Sequence, residues 1–99
     1  MNSKLRVQQI VKDINQEFHK IFSHTTILIW FGSWIKGNAY KQSDIDLAIK
    51  DEFFLDDKKL LKFKQYLSDF PTLYKIDLVD MRHINILLRN EINQYGKIL

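Results

Sequence analysis

The stretch from Phe31 to Ile49, FGSWIKGNAYKQSDIDLAI, constrains this chain more than any other. It is entered through Thr26 to Phe31, an apolar run rich in β-branched and aromatic residues. Such a run predicts a buried strand. Gly32-Ser33 ends that strand, a short segment from Trp34 to Tyr40 comes next, and a second strand is predicted from Asp44 to Ile49. Alternate side chains of a strand share a face. Asp44 and Asp46 therefore project together, and Ile45, Leu47 and Ile49 point the other way, into a core.

Two carboxylates placed side by side repel. At about 4 Å and an effective dielectric near 20 the cost is roughly 4 kcal/mol. A fold keeps such a pair where something cationic offsets it. Hard oxygen ligands suit Mg²⁺ or Mn²⁺, which bind through one or two carboxylates together with substrate phosphates. Gly32 lets the backbone turn and approach a phosphate closely. Ser33 supplies a hydroxyl, and a helical turn over Trp34 to Gly37 would aim free N–H groups at the same anion. These parts together suit a nucleoside triphosphate with its metal ions.

Gly32-Ser33, ten intervening residues, then Asp44-Ile45-Asp46 resembles the signature of the nucleotidyltransferase fold shared by DNA polymerase β and the aminoglycoside nucleotidyltransferases. The wording is most similar to that of the minimal nucleotidyltransferase (MNT) proteins, GSxARG followed by SDIDL. Here the corresponding runs are Gly32-Ser33-Trp34-Ile35-Lys36-Gly37 and Ser43-Asp44-Ile45-Asp46-Leu47. The resemblance implies an α/β (α+β) nucleotidyltransferase fold, a small mixed β-sheet flanked by helices. It expects a third carboxylate on a later strand, a place that Asp77 fits. Asp44, Asp46 and Asp77 are then the catalytic residues and the metal ligands, with Gly32, Ser33, Lys36 and Ser43 on the nucleotide. Lys36 stands where the family usually has Arg, keeping the charge and losing the planar fork.

The activity so implied is Mg²⁺- or Mn²⁺-dependent transfer of AMP from ATP. Two-metal sites of this kind stabilise both the attacking and the leaving oxygen of an in-line displacement. The resemblance supplies the acceptor as well: a tyrosine of an all-helical HEPN-type protein encoded nearby, with this chain as the antitoxin of the pair. Two other readings stay open. One is a nucleotidyltransferase acting on a small molecule such as an aminoglycoside, with a homo-oligomer forming the acceptor groove. The other is a non-catalytic module that binds and blocks a partner.

Composition bounds these readings. Ninety-nine residues, 45% of them hydrophobic, predict one domain over residues 1–99 with a single core and no second substrate domain. There is no cysteine, hence no thiolate metal site or disulfide frame. MNSKLRVQQIVKDINQEF lacks the uninterrupted apolar segment of a signal peptide, and no apolar run is long enough to span a bilayer. The expectation is a cytoplasmic protein with no membrane partner. A formal net charge of +3 does not by itself select nucleic acid.

The rest of the chain reads as scaffold. Lys4 to Phe22 carries apolar residues at helical spacing, with His19 and His24 at the surface near its end. Trp30 and Phe31 belong to the core or a pocket wall, and Trp34 packs under the short helix. Lys41 is either a solvated loop residue or a neighbour of phosphates. Asp51 to Asp57 forms a turn with an exposed-looking Phe53-Phe54 pair, fitting a docking patch, a core contact or a dimer contact. Asp56 or Asp57 caps a helix from Lys58 to Phe70 that Pro71 terminates. Its inward residues are Leu60, Leu61, Phe63, Tyr66 and Leu67, and its lysines form the wet face, so nucleic acid is not expected as a partner. Leu73 to Met81 is a third strand, with Asp80 capping the helix after it. Arg82 to Leu99 is that last helix, with Ile84, Leu87, Leu88, Ile92 and Tyr95 inward.

Overall fold

A computed structural model describes residues 2–99. Met1, the first residue of the predicted N-terminal stretch, lies outside the described residues. The chain begins with α1, Ser3–Ile21, whose first turn is capped by the Asn2 side chain accepting from the Leu5 N–H at 2.9 Å. Val7, Ile10, Val11, Ile14 and Phe18 form its buried stripe. β1, Thr26–Phe31, then leads into α2, the four-residue helix Ser33–Lys36. β2, Ile45–Asp51, is followed by α3, Asp57–Asp69, capped by Asp56. β3, Ile76–Asp80, runs into a 3₁₀ turn over Met81–His83, capped by Asp80. α4, Ile86–Tyr95, and β4, Lys97–Ile98, complete the order.

The four strands make one mixed sheet in the order β3-β2-β1-β4. β1 is antiparallel to β2 and to β4, while β2 and β3 are parallel, joined by the crossover through α3. The predicted alternation in β2 holds. Ile45, Leu47 and Ile49 are buried under α1 and α3 with Leu28, Phe18 and Phe63. Ala48 lies on the opposite face in a smaller cluster with Ile29, Phe31, Met81 and Ile92 of α4. None of the described helices is long and apolar enough to cross a membrane.

Four expectations are corrected. The helix predicted over Arg82 to Leu99 is broken into a 3₁₀ turn, α4 and a short strand. Asn85 caps α4 by accepting from the Leu88 N–H, which marks a fresh helix start. Gly96 ends it, passing so close to Ile29 and the Ile92 carbonyl that a Cβ would collide with both. That close passage sets Lys97–Ile98 beside β1. Leu87 and Tyr95, expected inward, are exposed, because the shorter helix turns only Ile92 and part of its flank onto the sheet. Leu61 of α3 is likewise exposed. The third strand begins at Ile76 rather than Leu73, which lies fully in solvent beyond Pro71.

Candidate active site

Register decides the site. Asp46 is opposite Phe31 on β1 and beside Asp77 on β3. Side chains at matched register positions of neighbouring strands share a face. Asp46 and Asp77 thus project together from the α4 side of the sheet, with Asp44 just before β2. The parallel pairing is fixed at its start by the Ile45 N–H, which donates to the Lys75 carbonyl at 2.9 Å. The sequence-based juxtaposition of Asp44 and Asp46 with Asp77 on the same sheet end is what the topology gives.

The electrostatics reflect that crowding. Partial burial, then the charges of Asp77, Asp44 and Glu91, push the Asp46 carboxyl up to about 6. Lys75 offsets this only weakly, and its Nζ lies 3.7 Å from an Asp77 oxygen. Among the described residues no three acidic or histidine side chains close to metal-holding distance. The donor chemistry nevertheless suits a hard divalent ion: Asp44, Asp46 and Asp77 lie at one sheet end, near enough for the charges of Asp77 and Asp44 to help raise the Asp46 pKa.

Gly32 closes the other side. Its φ of 87° and ψ of −159° lie in a region essentially confined to glycine. A Cβ there would also overlap the Asp46 carboxylate. The turn is thus packed directly on the acidic side chain. Gly32 stands at the N-terminus of α2 with no side chain capping that end. Gly37, at φ 84°, closes the helix in the left-handed region.

The remaining predicted site residues hold this turn together. The Ser43 hydroxyl accepts from the Tyr40 N–H at 2.7 Å, and the Ser43 carbonyl accepts from the Trp34 indole N–H at 2.9 Å. Trp34 packs edge-on against Tyr74 and onto the larger core, as expected. Lys36 donates to Glu91 Oε1 at 2.9 Å and lies over the Tyr95 ring. The Glu91 hydrogen bond and charge raise its pKa. Glu91 and Tyr95 are site neighbours that the sequence did not reveal. Both come from α4 and are brought to α2 by packing, so no local spacing marks them. Asp80 stays apart from the site: it caps the 3₁₀ turn and pairs with Arg82. A concavity of about 650 Å³ between the start of α1 and residues 71–74 is lined by none of the three carboxylates.

The chain is similar to known proteins in sequence and in fold. The profile of the polymerase beta nucleotidyltransferase family matches residues 9–99. The chain is 38% identical over 72 residues to the probable protein adenylyltransferase MntA of Haemophilus influenzae, covering 72% of this chain and 59% of that protein. It therefore spans about three fifths of the length of that curated relative. Among solved structures, it resembles a toxin–antitoxin with AMP-PNP at TM-score 0.59 and 23% identity, over 96% of this chain and 70% of that one. A mutant of the toxin–antitoxin MntA-HpeT gives TM-score 0.61 and 24% identity, over 93% and 70%. A tri-AMPylated Shewanella oneidensis HEPN toxin in complex with MNT antitoxin gives TM-score 0.55 and 22% identity, over 88% and 69%. At these identities the solved structures bear on the fold.

Proposed function

The chain belongs to the polymerase β nucleotidyltransferase family, and on that premise we propose that it transfers AMP from ATP to a hydroxyl of a partner protein. The observation that carries this reading is the in-register pair Asp46 and Asp77 with Gly32 packed on Asp46. It sets a pair of acidic side chains against a sharp glycine turn. The relative described as a protein adenylyltransferase supports the reaction type. The toxin–antitoxin assemblies among the fold neighbours support a HEPN-type protein as the acceptor and this chain as its antitoxin; a tyrosine as the acceptor residue is what the resemblance to the MNT family implies.

In this mechanism Asp44, Asp46 and Asp77 would hold Mg²⁺ or Mn²⁺. When bound, the ion supplies neutralisation of the phosphate charge and of the leaving pyrophosphate. The chain's own residues do the rest. The Gly32-Ser33 turn takes the phosphates through backbone N–H groups, and the Ser33 hydroxyl donates to them. Lys36 and Ser43 keep that turn in place against α4 and the 40–43 loop. Asp77 receives the proton of the acceptor hydroxyl as its oxygen bonds to the α-phosphorus and the bond to pyrophosphate breaks. Asp77 lies on an edge strand with its side chain 43% exposed, which suits a protein acceptor better than a small molecule that must be enclosed. Reaction in the cytoplasm, where ATP is plentiful, accords with this scheme.

The test mixes the protein with ATP, Mg²⁺ and the product of the neighbouring gene, then weighs that product intact. A gain of one AMP unit, lost on chelation, is expected. An unchanged mass sinks the reading.

A further inference from the structure

The end of the sheet opposite the carboxylates is built with equal care, and the proposed chemistry leaves it unused. Asp51, the last residue of β2, commits its carboxylate to the adjoining loops. One oxygen accepts from the N–H groups of Phe53 and Phe54 at 2.8 and 3.0 Å. The other accepts from the hydroxyls of Thr25 and Thr26 at 2.9 and 2.6 Å. Leu55, 3% exposed, pins the far side of the 52–55 loop in the core. Between these anchors Phe53 and Phe54 stand 82% and 73% exposed. A loop whose backbone is so firmly specified thus presents two large rings to water side by side.

Both rings line a groove of about 390 Å³ together with Lys50, Met81, Arg82 and Arg89. The charges there are unequal. Arg82 is satisfied by Asp57 at 2.8 Å and Asp80 at 2.7 Å. Asp51 is satisfied by its four donors. Arg89 donates to the Met81 carbonyl, and neither it nor Lys50 makes an ion pair among the described residues. What remains uncompensated is an aromatic pair beside two cations.

We infer that this groove docks the acceptor protein through a short acidic segment carrying an aromatic or aliphatic anchor, an inference that rests on the transferase reading above. The anchor packs on Phe53 and Phe54, and the acidic groups meet Lys50 and Arg89. A second copy of the chain fits poorly, because two-fold contact through one patch sets Lys50 and Arg89 against their own copies. An anionic membrane fits poorly too, since two unpaired cations fall short of the cluster of about four or more that such a surface takes. Asp51 and Asp46 are five residues apart on one strand, so the dock lies about 17 Å from the chemistry and holds the acceptor without filling the site.

The test compares wild-type protein with Phe53→Ser/Phe54→Ser and with Lys50→Glu, using the neighbouring gene's product as the probe in titration calorimetry. Affinity should fall roughly thirtyfold in the double variant. It should fall less in Lys50→Glu, and the wild-type advantage over that variant should shrink in added salt. Calorimetric binding of Mg-ATP should stay at the wild-type value in both. Equal affinity of wild type and double variant overturns the inference, as does no binding by wild type. So does wild-type self-association, or binding to phosphatidylserine vesicles, that the double variant abolishes. The two readings fail separately: binding lost in the double variant, with no AMP ever appearing on the acceptor, keeps the dock and removes the transferase.

Discussion

β2 carries an aspartate at each end, and the two live in opposite worlds. Asp46 is crowded by Asp77, Asp44 and Glu91 and pushed up to about 6. Asp51, five residues on, accepts hydrogen bonds from two threonines and two backbone amides and is held down to about 2. The second carboxylate is fully used within the fold. The first is left under-compensated, which accords with the cation site proposed above. One strand thus separates an end whose carboxylate is fully answered within the fold from an end whose carboxylate is not.

The largest expected effect breaks the reactive end alone. Asp46→Asn should lower AMP transfer by at least about 10²-fold, while leaving the melting temperature unchanged or slightly raised, because a crowded charge is removed. Wild-type turnover in that variant, measured by radiolabelled AMP incorporation, would erase the distinction between the two ends.

Gly32→Ala comes next, since it perturbs both packing and chemistry. It forces an alanine into a conformation costing about 1–3 kcal/mol and drives a methyl group into the Asp46 carboxylate. Calorimetry should show weakened Mg-ATP binding together with a lower Tm. Intact binding would mean that the turn is only a turn.

Thr26→Val probes the structural end. Thr26 is 7% exposed and its hydroxyl donates to Asp51 at 2.6 Å. Losing that bond should cost about 1 kcal/mol, or about 4–8 °C in Tm for a chain of this size, with Mg-ATP affinity unaltered. A change in Mg-ATP affinity would show that the ends are coupled.

The smallest effect is in pH. Asp46 binds its proton more tightly folded than unfolded, so stability should rise modestly as pH falls from above 6 towards 4. Asp51 binds its proton less tightly folded, so its contribution is present above about 4 and is lost as pH falls towards 2. Thermal melts across this range should show the upper rise in wild type and lack it in Asp46→Asn.

Much of the molecule was legible without coordinates because it is local. Strand alternation put Ile45, Leu47 and Ile49 in the core and Asp44 with Asp46 on the other side. Gly32 and Pro71 punctuated the elements correctly, and Asp56 and Asp80 capped as their spacing implies. The C-terminal segment failed for an equally physical reason. From Arg82 to Leu99 the apolar residues suit a long helix, but Asn85 and Gly96 interrupt it and β1 offers Lys97–Ile98 an open edge. Tertiary pairing overrode the helical period.

Sequence alone determined the glycine turn, the ten-residue spacing and the carboxylate pair at the head of β2, since backbone alternation operates within a few residues. Only the tertiary structure decided that Asp77 stands beside Asp46, that Glu91 reaches across to Lys36, and that the two sheet ends treat their carboxylates so differently. Those outcomes depend on strand register and helix packing between residues tens of positions apart, and no spacing along the chain encodes such a distance.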